Sequence, residues 1–174
     1  VLVEKQQVQK ARLLAKAGQY QQAVKIYDVL FSPVYPNSEY EFEHISWIAV
    51  DTNNWQEALK GYQSLRKRYP NIGRYDIAYA RHLLKRDPQS KKAFEIYTHY
   101  AHSNQYSVAA EFAWLDALRN LPITKETSLA YREYISHYPN NSKGKLQFSD
   151  FKTDLKNELI KQADPAYKLW VRGA

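Results

Sequence analysis

Cysteine is absent from the 174 residues, which excludes disulfides and any chemistry that needs a thiolate. The absence fits an oxidising compartment without requiring one, because small cytosolic domains also lack cysteine. Methionine is missing as well and Val1 opens the chain, so we expect a piece of a longer product whose leader, further repeats or membrane part lie elsewhere. No apolar run approaches the roughly 18 residues of a membrane span, so this stretch is not expected to insert into a bilayer. Five Gly and seven Pro without low-complexity runs argue against a disordered linker. There is no glycine-rich phosphate loop and no His-Glu-x-x-His motif. Acidic residues are the minority, 18 against 25 Lys and Arg, for a net charge of +7. That balance eases contact with acidic partners. The cations are scattered among the acids rather than gathered in a stripe, so nucleic acid is not the expected partner.

What the chain has in quantity is aromatic residues, including 15 Tyr and 4 Trp, and they recur at a fixed period. In the stretch from Asn54 to Leu65, Trp55, Ala58, Tyr62 and Leu65 share one helical face. Tyr20, Ala23, Tyr27 and Leu30 repeat the pattern upstream, and Ser90, Ala93, Tyr97 and Tyr100 repeat it downstream. Ala23, Ala58 and Ala93 stand 35 residues apart. Tyr131, Tyr134 and Tyr138-Pro139 echo Tyr62, Leu65 and Tyr69-Pro70. A small residue at that place lets a second helix approach closely, and the aromatics fill the gaps beside it. Pro70 cannot continue a helix and moves Tyr69 out of the α region. A period of about 34 with these features is the tetratricopeptide repeat (TPR) signature. We therefore expect an all-α, TPR-type right-handed α-solenoid of stacked antiparallel helix pairs, each burying its apolar face against a neighbour.

Taken in order, the repeats run approximately over 4–36, 39–70, 74–103 and 106–139, with a partial fifth over 142–174 and a single array throughout. Leu2, Val3, Val8, Ala11, Leu14 and Ala15 set the first stripe, and Gly18 suits a left-handed helix cap. Ser38, Asp87 before Pro88, Thr124 and Ser142 read as N-caps. Phe42, Ile45, Ile48 and Ala49 form the inward stripe of repeat two; Ile77, Ala80, Leu83 and Leu84 that of repeat three. Ala110, Phe112, Ala113, Trp114 and Leu118 make the most apolar helix, and Leu146, Phe148, Phe151, Leu155 and Leu159 carry the last long one. Asp164-Pro165 reopens a helix.

Candidates for chemistry are few. His99 and His102 are three residues apart, but no third ligand has convincing spacing, so they read as surface histidines rather than a metal site. Glu41 and Glu43 lie on different sides of a helix, and Asn140-Asn141-Ser142 is too short a motif to carry glycosylation. We expect no enzyme, metal or cofactor. The better candidate is the concave surface lined by the first helix of each repeat. The register places there Lys5, Val8, Arg12 and Lys16; Tyr40, Glu43, Trp47 and Asp51; Tyr75, Ala78, His82 and Lys85; and Phe112, Asp116 and Arg119. From these, Arg12, Tyr40, Trp47, Tyr75, His82, Lys85 and Arg119 are the binding candidates. Aromatics interleaved with cations suit stacking on sugar rings, or clamping a peptide through its carboxylates. The competing reading is that these Tyr and Trp are half-buried packing residues.

Several stretches resemble a known family. They are Gln9-Lys10-Ala11-Arg12-Leu13 leading to Gly18, Ala23-Val24, Tyr27 and Leu30-Phe31; then Ala130-Tyr131-Arg132-Glu133-Tyr134-Ile135; then Lys161-Gln162-Ala163-Asp164-Pro165-Ala166-Tyr167, the most specific of the three. With these the chain resembles part of the periplasmic repeat region of the C component of bacterial cellulose synthase, the cellulose-export family. The resemblance is loose over 35–110. It implies a signal peptide before the repeats, an outer-membrane β-barrel after them, and a role as a periplasmic scaffold between the inner-membrane synthase and the outer-membrane pore. Partners implied are synthase components, the periplasmic glucanase, peptidoglycan or the emerging glucan, with no catalytic residue. A generic TPR adaptor holding a peptide or helix on its concave face is the alternative.

Overall fold

The computed structural model describes residues 2–32, 34–103, 105–163 and 165–173. Its elements are α1 (Leu2–Lys16), α2 (Tyr20–Leu30), α3 (Ser38–Ile48), a 3-10 turn (Thr52–Asn54), α4 (Trp55–Arg68), α5 (Gly73–Leu84), α6 (Lys91–Tyr100), α7 (Ser107–Arg119), α8 (Lys125–His137), α9 (Ser142–Gln162) and α10 (Pro165–Gly173). No strand occurs among the described residues. Two compact units divide the chain, Val1–Asp87 and Pro88–Ala174.

In the first unit α1 packs on α2, α2 on α3, α3 on α4 and α4 on α5. The first hairpin closes because Gly18 adopts φ +84°, which lets Gln19 N–H reach back to Leu14 C=O at 2.8 Å. Ala23 and Ala58 are buried where the period places them, with Tyr27, Tyr62 and Leu65 beside them. The second unit repeats the scheme, α6 on α7, α7 on α8 and α8 on α9, with Ala93, Tyr97, Tyr131 and Tyr134 buried. Thr127 takes the small-residue position of its repeat; it is buried, and its hydroxyl donates to Pro122 C=O at 2.6 Å. The all-α class of antiparallel helix pairs is what each unit contains.

The caps shift from the expected residues. Asn37, not Ser38, caps α3, and Asn141, not Ser142, caps α9; each side chain accepts the N–H three residues on, from Tyr40 and from Gly144. In both Asn-Ser pairs the asparagine holds the extended backbone a cap needs, and the serine already begins the helix. Asp87-Pro88 lies in the turn, and Ser90 caps α6 through Ala93 N–H. Thr124 caps α8 as expected. Val3, Phe112, Leu146 and Leu159 are exposed rather than core. Pro33 and Asp164, read respectively as part of a long loop and as a helix-reopening residue, lie outside the described residues.

Candidate functional site

Six of the seven candidate binding residues lie in the first unit, and two meet directly. Arg12 on α1, its side chain 49% exposed, donates from Nε and Nη2 to the two carboxylate oxygens of Glu43 on α3, both at 2.7 Å. Its guanidinium carbon stands 5.5 Å from the centre of the Tyr40 ring. The hydrogen bonds to Glu43 hold the Arg12 pKa above its already high ordinary value. Tyr27 donates to the same carboxylate at 3.3 Å, and burial raises the phenol's pKa. Tyr40 stacks on Phe31 at 5.0 Å, and Trp47 lies tilted against Tyr27 at 4.5 Å. Glu39, one turn before Glu43, is paired with Arg74 of α5. Glu39 also accepts from Tyr75 OH at 3.0 Å, and these bonds hold its carboxyl below the usual range against burial acting the other way. The first-helix cations Arg12 and Arg74 are therefore already matched by carboxylates of α3. A clamp for a peptide carboxylate needs cations free of such partners.

On α5 the geometry overturns two candidates. Tyr75, 1% exposed, packs on Phe42 and shares a 2.8 Å hydrogen bond with Ser38. His82, also 1% exposed, stacks on Trp55 with ring centres 5.1 Å apart. Its Nε2–H donates to Trp55 C=O at 2.8 Å while Trp55 Nε1–H donates to His82 C=O at 2.9 Å. Burial lowers the His82 pKa. Both residues join helices and offer no surface to a ligand. The repeat register placed them on an inner face, but residues that close each helix against its successor share that register. Lys85 donates to Ala49 C=O at 2.9 Å, and desolvation lowers its pKa. In the second unit Arg119, 66% exposed, meets Asp116 at 3.3 Å and Gln147 at 3.2 Å.

One open feature of the first unit lies at the edge formed by the helix–helix turns. A cleft of about 810 Å³ is lined by Tyr20 and Trp47 with Gln19, Asp28, Asp51 and Asn53 among its polar groups. Two half-buried aromatic faces surrounded by amides and carboxylates can stack on a sugar ring and hydrogen-bond its hydroxyls. Sequence reasoning found Trp47 but missed Tyr20 and the amides. The amides flank two turns about one period apart, Gly18-Gln19 and Asp51–Asn54, and Tyr20, at the start of α2, carries only the packing-stripe signal in sequence.

A second cluster was not foreseen. His44 is buried, with Nδ1 2.6 Å from Tyr35 OH and Nε2 2.8 Å from Asp28 Oδ1. Burial lowers the His44 pKa and Asp28 only partly opposes it, so the ring is held neutral and the Tyr35 hydroxyl donates to it. In the second unit His102 Nε2 and His137 Nδ1 are 2.7 Å apart, joining equivalent turns of successive repeats, while His99 stays on the surface. No group of three or more His, Cys, Asp or Glu placed to hold a metal occurs among the described residues.

Known proteins resemble the chain in sequence and in fold. A tetratricopeptide-repeat profile matches residues 44–71, from the later half of α3 through α4. The chain is 25% identical over 169 residues to cellulose synthase operon protein C of Salmonella typhimurium and 23% identical over 171 residues to that of Escherichia coli K12. Each match covers 97% of this chain. It spans 14% of the length of either relative. The crystal structure of the flexible tandem repeat domain from the C component of bacterial cellulose synthase superposes with a TM-score of 0.65 at 21% identity, over 92% of this chain and 64% of that one. The fold is shared with that domain, and the resemblance read from the residues is borne out.

Proposed function

We propose that this chain is a non-catalytic TPR segment of a periplasmic cellulose-export protein, a single repeat array linking an inner-membrane synthase to an outer-membrane pore. The observation that carries the reading is the similarity along 97% of the chain to proteins named for the cellulose synthase operon. Synthase components, the pore-forming barrel of the same full-length protein, peptidoglycan and the glucan itself are the partners that suit such a segment. The emerging glucan meets the chain at the Tyr20–Trp47 cleft, where aromatic faces and amides match alternating C–H faces and hydroxyl edges of a β-linked glucose chain. The generic peptide adaptor is less well supported, because Arg12 and Arg74 are neutralised by Glu43 and Glu39.

The test is in-frame excision of this segment from the full-length protein in a cellulose-producing cell. The reading expects secreted cellulose to be lost while glucan synthesis by isolated inner membranes continues. Undiminished secretion, with the truncated protein present in the outer membrane, would overturn it.

A further inference from the structure

The second unit carries a cleft that the export reading does not use. It has a volume of about 450 Å³ and lies between α6 and α8, with Trp114 of α7 at its base. Phe94 and Ala130 form apolar walls, and Glu95 on α6 and Glu133 on α8 stand on opposite sides. Both carboxylates are exposed, and among the described residues neither has an ion-pair partner and Lys91 is the one cation lining the cleft. In a chain of net charge +7, that locally acidic, aromatic-based cleft runs against the general balance. Trp114 is 2% exposed, and its Nε1–H finds no acceptor among the described residues although Tyr134, His137 and Tyr138 pack around the indole. A buried donor without a partner is costly, and an incoming oxygen would offset that cost.

We infer that this cleft binds an arginine side chain presented by an extended peptide segment of a partner protein. A guanidinium is flat, weakly hydrated and forked, so it stacks on aromatic faces and hydrogen-bonds carboxylates on either side. A small free cation would meet the carboxylates but bring no acceptor for the indole. A peptide residue brings both, the guanidinium for Glu95 and Glu133 and a carbonyl oxygen for Trp114. The inference stands whether or not the chain serves cellulose export, since it rests on the cleft's own groups.

The experiment is calorimetric titration of the 174-residue chain with acetyl-Gly-Arg-Gly-amide. The citrulline analogue serves as the neutral isostere and methylguanidinium as the free cation. The arginine peptide is expected to bind and the citrulline peptide not to. Glu95→Gln and Glu133→Gln, both at exposed positions, should each weaken binding about three- to five-fold, the range of a solvated ion pair. Added salt should weaken it further. Equal binding of the arginine and citrulline peptides, or none of either at millimolar concentration, would overturn the inference. So would affinity untouched by both substitutions. Methylguanidinium binding as tightly as the peptide would overturn the peptide source.

Discussion

Gly144 sits in the first turn of α9, where an added Cβ would lie 2.6 Å from Tyr134 Cε1. Tyr134 is fully buried, so its ring cannot retreat. Gly144→Ala gains about 1 kcal/mol of helix propensity against roughly 1–3 kcal/mol of overpacking. We expect a net loss, read as a lower midpoint in a thermal melt. Ala58→Leu should cost about 1–3 kcal/mol for the same reason, since Ala58 is buried at the close approach of paired helices. His44 and His82 add a pH dependence. Burial sets both below the ordinary histidine value in the folded chain. As pH falls through the unfolded value of about 6.5, the unfolded chain takes up protons first, and stability present above that pH is progressively lost. Melting temperature should therefore fall between pH 7 and 5, and His44→Gln, though less stable overall, should show a flatter slope across that window.

Between elements, the reciprocal hydrogen bonds of Trp55 and His82 tie the start of α4 to the end of α5. Trp55→Phe keeps a stacking ring but removes the indole donor, leaving His82 C=O only the longer 3.3 Å bond from Lys85 N–H. About 1–2 kcal/mol should be lost in chemical denaturation, with the denaturant slope unchanged. The helices themselves were legible because the 35-residue spacing of Ala23, Ala58 and Ala93 records a steric need, and a methyl at a close helix crossing shows directly in sequence. Caps were legible to within a residue at Asn37-Ser38 and Asn141-Ser142, where either side chain suits the role and only backbone angles decide. The site was less legible. Tyr75 and His82 fall at inward register positions, yet partners 27 to 37 residues away bury them, and spacing within one helix cannot register such partners. His44 escaped notice because neither Asp28 nor Tyr35 stands in a recognisable motif with it.

Across the whole molecule the +7 charge does not translate into free arginines at the first-helix positions Arg12, Arg74 and Arg119, which all have polar partners. Aromatic surface stays available instead where the turns of α1–α2 and α3–α4 leave Tyr20 and Trp47 around a cleft. Glucan recognition should then fall at that turn edge, not along the inner helices. Chemical-shift mapping of the chain during titration with cellohexaose tests this most directly. The predicted result is a set of perturbations confined to Gln19, Tyr20, Trp47, Asp51 and Asn53, abolished by Trp47→Ala in a chain that remains folded. Perturbations centred on Arg12, Tyr40 and Lys85 instead, or unchanged spectra at millimolar sugar, would contradict it.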